Sequence, residues 1–120
     1  MFPYNQNDKL IFVNIKNSYE AMARNGVNHS LYRRTIYDCT VKFWAIADDK
    51  ASSATHILGC YRGRVLEGVR INSVMPVATG EFKGRKVFDG VEQPYSAYIG
   101  LDLHEVFDTL ANFRTKYWNI

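Results

Sequence analysis

The sequence predicts an α+β fold with a central, mostly antiparallel curved sheet or partial barrel and a few short flanking helices. Short β-favouring apolar runs recur along the chain, and turn residues separate them, as in small antiparallel sheets. Other segments carry helix caps and apolar residues at helical spacing. The chain has 120 residues, 47% of them hydrophobic, so it can bury one core as a single domain.

Strands are expected where β-favouring residues run together or alternate with polar ones. In chain order they are residues 10–13, 41–46, 56–61, 65–74 and 85–88. Arg62-Gly63-Arg64 is read as a turn, so the strands on either side of it pair as an antiparallel hairpin. Asp89-Gly90 is expected to end the last of these strands, and residues 95–99 are expected to be extended.

Helices are expected where a capping residue precedes apolar positions at helical spacing. They are residues 18–24, stopped by Asn25-Gly26, a helix from Ser30 to about Cys39, and a turn from Asp48-Asp49 to Ala54. Asp102-Leu103-His104-Glu105 resembles a capping box, with Asp102 as the cap. The helix that it opens has one apolar stripe, formed by Leu103, Val106, Phe107 and Leu110.

Residues 1–9 are predicted to be a polar N-terminal arm, and residues 10–120 one ligand-binding domain. No apolar run approaches the ~18 residues of a membrane span, and the first residues lack the pattern of a secretory signal. Cys39 and Cys60 have apolar neighbours and no CxxC spacing, which predicts buried free thiols and no metal site. These features are typical of a cytoplasmic protein.

The residue types favour binding over catalysis. The three histidines have no metal-ligand spacing, and neither a G-x-S-x-G turn nor a P-loop is present. We therefore expect no catalytic residue, no metal and no cofactor. The net charge of +3 suits an anionic partner. Residues 80–86 combine glycines with basic residues and are read as a mobile loop able to lie over an anion.

Arginines and aromatic residues form the predicted ligand site. Three arginines around the hairpin have the same parity and are expected on one face: Arg62, Arg64 and Arg70. Phe88 lies on a later strand, and Arg114 lies near the C-terminus. Arginine supplies a planar fork for phosphate and an aromatic ring stacks on a base, so a nucleotide site needs both. The alternative is a solvated basic face with Phe88 in the core.

Several short motifs, in this order, resemble a known family. Residues 36–44, IYDCTVKFW, resemble the family pattern L-Y-x-x-T-R-G-x-W, and residues 54–63 resemble the strand that follows it. Further matches are Val69-Arg70-Ile71, Phe88-Asp89-Gly90, Tyr98-Ile99-Gly100 and, loosely, Asn112-Phe113-Arg114. The pattern is similar to a small domain found beside GIY-YIG nuclease modules and to the stand-alone phage proteins called Thoeris anti-defence 1. It covers residues 10–120.

The resemblance implies a non-catalytic sponge. The stand-alone relatives bind cyclic ADP-ribose isomers made by TIR-domain immune enzymes, and some bind cyclic oligonucleotides. They sequester the signal without cleaving it and assemble as oligomers. For this chain the resemblance implies a homo-oligomer in the host cytoplasm, if the protein is phage-encoded. No GIY-YIG nuclease motif is present, so nuclease activity does not carry over.

The family's ligand-facing positions match Arg70, Phe88 and Arg114. The resemblance implies that the arginines contact the pyrophosphate and that Phe88 stacks on the base. Val41-Lys42 stands where the family has Arg-Gly. Lys42 can replace the charge but not the bidentate fork of arginine.

Two other functions stay open at this level. A nucleic-acid-binding module would track phosphates with the basic hairpin and stack bases on aromatic residues, and its binding would weaken steeply with salt. An interaction protein would instead block a host enzyme through the aromatic arm, with Phe2 and Tyr4, and the aromatic tail, residues 115–120. Truncation of residues 1–9 would abolish that activity and leave a pocket intact.

Overall fold

A computed structural model describes residues 5–28, 31–110 and 113–120. Five strands form one curved, mostly antiparallel sheet with three short helices, which confirms the α+β class, and the sheet does not close into a barrel. The strands are β1 (Leu10–Asn14), β2 (His56–Tyr61), β3 (Arg64–Pro76), β4 (Lys86–Glu92) and β5 (Thr115–Trp118), in the spatial order β4-β3-β2-β1-β5. The helices are α1 (Lys16–Ala23), α2 (Ile36–Val41) and α3 (Asp48–Ser53). None of the described helices is long and apolar enough to cross a membrane.

β1 and β2 are parallel, whereas the other neighbouring strands are antiparallel. The three helices lie in the connection between these two strands, because parallel strands need a long crossover. The carboxyl ends of β1 and β2 therefore meet at one edge of the sheet, where Asn14 pairs with Cys60. α1 begins at the same edge. Ligands commonly bind in the crevice outside the carboxyl ends of parallel strands.

Apolar side chains cover both faces of the sheet. In β1, Ile11 and Val13 belong to the core cluster shared with the helices, and Leu10 and Phe12 belong to a second cluster on the other face. The ring of Phe107 meets that of Phe12 edge to face, with centroids 5.3 Å apart. Because both faces of β1 are buried, its sequence is continuously apolar. Burial of one such side chain stabilises the fold by about 1.5–3 kcal/mol.

The hairpin of β3 and β4 extends beyond the rest of the sheet. β3 has 13 residues and β2 only 6, so the second half of β3 pairs with β4 alone. The register shifts between Ile71 and Ser73, and Gly90 lies opposite Ile71. A Cβ at Gly90 would overlap the backbone of Arg70. The predicted strand end at Asp89-Gly90 is therefore wrong, because this glycine permits a close backbone approach inside the strand.

The strand predicted over residues 41–46 is also wrong. Val41 ends α2, and Trp44 makes only an isolated bridge to the start of β4. The β-favouring residues here pack into the core from a helix and a turn, so tertiary packing outweighs their local preference. The Thr35 hydroxyl caps α2. Ser30, the predicted cap, lies outside the described residues.

The secondary structure after β4 differs from the one predicted for residues 95–99 and for the segment after Asp102. Residues 95–99 lie in turns, and the expected helix after Asp102 is a single 3-10 turn, Leu103–Glu105. The cap itself is confirmed, since the Asp102 carboxylate accepts a hydrogen bond from the backbone N–H of His104 at 3.0 Å. The apolar stripe packs on the sheet without a helix, and so short a helix has little intrinsic stability.

The described part of the N-terminal arm is held against the domain. The Tyr98 hydroxyl donates to the Asp8 carboxylate at 2.6 Å, and the Asn119 amide donates to the Asp8 carbonyl at 3.0 Å. Phe2 and Tyr4, the residues expected to reach a partner, lie outside the described residues.

Both cysteines are buried and free, as the sequence predicts. Burial raises the pKa of the Cys39 thiol to about 11. Burial also raises the pKa of the Cys60 thiol, which is therefore protonated at neutral pH. Neither cysteine forms a disulfide, and both pack in the core as small apolar residues, as expected from the sequence.

Candidate functional site

A groove runs along the sheet edge at which β1 and β2 end. It consists of three cavities of about 340, 280 and 470 Å³ that share lining residues. Asn14, the last residue of β1, lines all three. Asn17 and Arg114 line the first two, and Lys16 and Phe113 line the last two. The cavities therefore form one continuous groove. The cavity of 340 Å³ is its first end, that of 280 Å³ its middle and that of 470 Å³ its other end.

Asn14 fixes the middle of the groove. Its backbone N–H donates to the Arg114 carbonyl at 2.9 Å, and its side-chain amide donates to the Phe113 carbonyl at 3.2 Å. Its amide oxygen accepts a hydrogen bond from the backbone N–H of Lys16 at 3.1 Å. One side chain thus joins the beginning of α1 to the segment that enters β5, and it sets the positions of Lys16 and Arg114 relative to each other.

The first end of the groove, hereafter the aromatic end, is built around two stacked rings. Phe43 follows α2 and Phe82 lies in the β3–β4 loop; their ring centroids are 4.9 Å apart and their planes differ by 18°. The Arg33 guanidinium lies 4.8 Å from the Phe43 centroid, and that of Arg85 lies 5.1 Å from the Phe82 centroid. Such cation–π contacts orient the guanidinium groups and are worth roughly 0.5–2 kcal/mol each.

Arg33 is a buried cation at this end, with 8% of its surface exposed. One guanidinium nitrogen donates to the Tyr32 carbonyl at 2.8 Å. Burial lowers the pKa of Arg33, and nearby Asp38 and Glu81 partly oppose that effect. The guanidinium still carries its charge at neutral pH, because arginine does not lose its proton in proteins. It therefore contributes a fixed positive potential beside the two rings.

Two arginines at the aromatic end have no carboxylate partner among the described residues. Lys42 pairs with Asp38 at 3.6 Å. In the part of the chain that the structure describes, neither Arg85 nor Arg114 has a carboxylate oxygen within 4.0 Å. The lining combines four basic side chains with one carboxylate: Arg33, Lys42, Arg85 and Arg114 against Glu81. A concave surface with this imbalance attracts anions.

The other end of the groove, the cavity of about 470 Å³, lies beside the turn between β2 and β3 and is hereafter called the hairpin end. Its basic residues are Lys16, at the first position of α1, and Arg62, in the turn with φ of 50°. The Glu20 carboxylate accepts a hydrogen bond from the Tyr61 hydroxyl at 2.8 Å. No acidic residue occupies the first turn of α1, so the positive end of its dipole adds to the potential here.

Three of the six predicted site residues line the groove. Lys42 and Arg114 lie together at the aromatic end, and Arg62 lies at the hairpin end. Phe82 and Arg85 of the predicted basic loop, residues 80–86, line the aromatic end, and the expectation that this loop lies over an anion stays a prediction.

The other three predicted residues lie elsewhere. Arg64 lines a separate cavity and pairs with Asp102 at 3.7 Å. Arg70 is exposed on β3 opposite His56, outside the groove lining. Phe88 is 1% exposed in the core, which leaves no ring face for the expected base stacking.

The shared face expected for the hairpin arginines does not form. Arg62 lies in the turn rather than on a strand, and the register shifts between Gly59 and Cys60 of β2. The bulge inserts one extra residue into β3, Leu66, between the pairs Gly59–Glu67 and Cys60–Val65, so equal parity along β3 no longer means one face.

Sequence reasoning missed Arg33 and the two stacked rings. Arg33 precedes α2 in an irregular segment, and Phe43 lies in a stretch predicted as a strand. The only local signal was the basic loop that carries Phe82. A stack between residues so far apart in sequence depends on how the β3–β4 loop folds over α2, which no local pattern encodes.

Comparison with protein-family models, curated proteins and solved structures finds no match to this chain. Within residues 5–28, 31–110 and 113–120, no group of three or more His, Cys, Asp or Glu residues is arranged to hold a metal ion. The resemblance to the Thoeris anti-defence 1 proteins therefore stays a prediction, and the chemistry of the groove is the basis on which a function can be proposed.

Proposed function

We propose that the protein binds a nucleotide-derived immune signal of the cyclic ADP-ribose type and sequesters it without cleavage, thereby blocking TIR-based antiviral defence. One observation supports this proposal most strongly. Arg85 and Arg114, which have no carboxylate oxygen within 4.0 Å among the described residues, line one cavity with the stacked rings of Phe43 and Phe82. Phosphate and base recognition need these two chemistries side by side.

Phosphate binding is the first step of the proposal. Arg85 and Arg114 contact the phosphate groups, and Lys42 adds charge at the rim. A guanidinium can donate two parallel hydrogen bonds to one phosphate, and a hydrogen bond to a charged group contributes roughly 1.5–3 kcal/mol. The buried charge of Arg33 beside the rings strengthens the attraction.

Base binding is the second step. Phe43 and Phe82 are half-buried and line the groove, and a base would stack on the ring surface that their mutual contact and the two guanidinium groups leave open. Stacking of a base on such a ring contributes roughly 1–3 kcal/mol. The aromatic end has a volume of about 340 Å³, within the usual size range of small-molecule sites.

Sequestration, rather than turnover, is the third part of the proposal. The described lining at the aromatic end consists mainly of cations, amides and aromatic rings, which hold a phosphorylated ligand. A sponge acts by mass action, so its dissociation constant must lie below the working concentration of the signal. A homo-oligomer, as the resemblance implies, would help by covering the ligand in the open groove.

The test is recovery of the bound ligand. The purified protein is mixed with cyclic ADP-ribose, washed, denatured by heat and analysed by mass spectrometry for what it releases. We expect intact ligand from the wild type and a loss of roughly tenfold or more in affinity for Arg85→Gln/Arg114→Gln. Arg64→Gln is the matched control, because it removes an exposed arginine outside the groove.

Other outcomes would contradict the proposal. Release of a cleaved product, or depletion of the ligand by trace protein, would indicate an enzyme. Equal recovery from the wild type and the double variant would remove the groove as the site. Binding only to single-stranded oligonucleotides, with a steep dependence on salt, would support the nucleic-acid-binding alternative instead.

A further inference from the structure

We infer that the groove selects a nucleotide whose ribose hydroxyls are unmodified, and that Glu81 makes this selection by accepting hydrogen bonds from them. The inference rests on the proposed function and narrows the class of its ligand. It starts from a single carboxylate in a basic lining. Among the described residues of the aromatic end, Glu81 is the one acidic side chain beside four basic ones.

The Glu81 carboxylate is accessible to a ligand. The residue is exposed in the β3–β4 loop and precedes Phe82 in the sequence. Within residues 5–28, 31–110 and 113–120, no Lys, Arg or His nitrogen lies within 4.0 Å of its carboxylate oxygens. This negative charge lies in a cavity that the proposed function fills with a phosphorylated ligand. It would oppose binding unless it accepted hydrogen bonds from donors of that same ligand.

The buried cation at this end depends on other groups more than on Glu81. Burial lowers the pKa of Arg33, and Asp38 opposes this effect more strongly than Glu81 does. The Arg33 guanidinium also donates a hydrogen bond to the Tyr32 carbonyl at 2.8 Å. Replacement of Glu81 by a neutral residue therefore leaves Arg33 with its hydrogen bond and its stronger acidic neighbour. The effect of such a variant on binding can then be separated from an effect on folding.

The position of Glu81 suits the ribose of the ligand. In a nucleotide the ribose lies between the base and the phosphate. The proposed function assigns the base to Phe43 and Phe82 and the phosphates to two arginines, and Glu81 lines the same cavity. Arg114 also lines the middle of the groove, whose lining does not include Glu81, so the middle offers the phosphates a place apart from the carboxylate. The hydroxyls of the ribose are the donors that remain for Glu81.

A carboxylate distinguishes a free ribose from a phosphorylated one. An ionised carboxylate only accepts hydrogen bonds, and its two oxygens can each take one ribose hydroxyl. Dinucleotide-binding proteins use the same pairing, and an arginine accommodates the 2′-phosphate where the ribose carries one. A 2′-phosphate in this groove would instead meet a like charge, which disfavours that ligand. The groove therefore favours a signal made from a dinucleotide that has no 2′-phosphate.

The test compares cyclic ADP-ribose with its 2′-phosphate by calorimetric titration. We expect the wild type to bind cyclic ADP-ribose at least roughly tenfold more tightly, because its 2′-hydroxyl donates to Glu81 whereas the 2′-phosphate is repelled. In Glu81→Gln, the affinity for cyclic ADP-ribose should fall roughly threefold to tenfold, because an amide oxygen replaces a charged acceptor. The affinity for the 2′-phosphate should rise in the same variant, which also shows that the variant is folded.

The matched control is Glu105→Gln. It removes an exposed carboxylate that lines a separate cavity, so it should keep the wild-type preference. Tighter binding of both ligands by Glu81→Gln would overturn the inference, because Glu81 would then only reduce the positive charge of the groove. Equal affinities of the wild type for the two ligands would also overturn it and leave the proposed function standing. No binding of cyclic ADP-ribose by the wild type would remove the proposed function and this inference together.

Discussion

The ring of Phe82 stacks on that of Phe43, with centroids 4.9 Å apart and planes 18° from parallel. This contact joins the β3–β4 loop to the turn after α2, two segments that are far apart in sequence. It also brings Arg85 and Arg33 to the same rings, at 5.1 and 4.8 Å from the nearest centroid. The stack therefore organises the aromatic end of the groove, and it is the first feature to test.

Removing the ring of Phe82 should weaken ligand binding more than it weakens the fold. Phe82→Leu keeps an apolar side chain but removes the flat face, so the affinity for cyclic ADP-ribose should fall roughly tenfold. Phe82→Tyr keeps the ring and serves as the control, with nearly unchanged affinity. Calorimetric titration measures both. An unchanged affinity in Phe82→Leu would mean that the base does not stack here.

A negative charge at the start of α1 should have opposite effects on stability and binding. Asn17 lies in the first turn of α1, which has no acidic residue, and lines the groove. Asn17→Asp should stabilise the free protein by about 0.3–1 kcal/mol through the helix dipole. It should also reduce the affinity for cyclic ADP-ribose, because the new carboxylate repels phosphate. Urea unfolding and ligand titration of the same variant check both effects, and unchanged affinity would contradict the assignment of the groove.

Gly59 should tolerate no side chain. A Cβ at Gly59 would overlap the Thr40 side chain, whereas a Cβ at Gly68 on the neighbouring strand meets only ordinary contacts at 3.5 Å or more. Gly59→Ala should therefore lower the free energy of unfolding by about 1–3 kcal/mol. Gly68→Ala is the matched control and should change it by much less. Equal effects in urea unfolding would show that the Thr40 side chain of α2 does not lie against Gly59 of β2.

Stability should depend on pH through Glu67. Burial, together with the hydrogen bond to Glu92, raises the pKa of Glu67 to about 7 from an ordinary value of 4.5. Because the folded state binds the proton more tightly, this contribution to stability is fully present below about pH 4.5 and is lost as the pH rises through about 7. Glu67→Gln should therefore be more stable than the wild type at about pH 8, and this advantage should vanish towards about pH 4.5.

The comparison uses urea unfolding at several pH values. Glutamine keeps an oxygen that accepts the backbone N–H of Gly68, a hydrogen bond of 3.0 Å in the wild type. Glu105→Gln, at an exposed site, is the control and should leave the pH dependence unchanged. An identical pH dependence for the wild type and Glu67→Gln would show that Glu67 is not the group responsible.

Local patterns predicted much of the fold. The continuous apolar run of β1 indicated a buried strand, and the short apolar strands with a glycine turn indicated the β2–β3 hairpin. Two of the wrong secondary-structure predictions share one cause. Residues 41–46 and the stripe after Asp102 have local preferences that the tertiary packing does not use. Gly90 looked like a strand end because the sequence does not reveal the close approach of the Arg70 backbone.

The site was less predictable than the fold. Arg62 was identified from its chemistry, Arg114 from its chemistry and the resemblance, and Lys42 from the resemblance; all three line the groove. Arg70 and Phe88 were identified from parity and resemblance, and the sheet geometry puts the first outside the groove lining and the second in the core. Parity assigns a face only along an unbroken strand, and this sheet has register shifts in both relevant strand pairs.

The most direct test of the central claim is a calorimetric titration of cyclic ADP-ribose into the wild type and into Arg85→Gln/Arg114→Gln. The groove predicts saturable binding by the wild type with a dissociation constant below about 1 μM, and at least roughly tenfold weaker binding by the double variant. Arg24→Gln/Arg64→Gln, which loses two charges outside the aromatic end, should bind like the wild type. No binding by the wild type, or equal binding by the wild type and Arg85→Gln/Arg114→Gln, would contradict the claim that this groove holds a nucleotide signal.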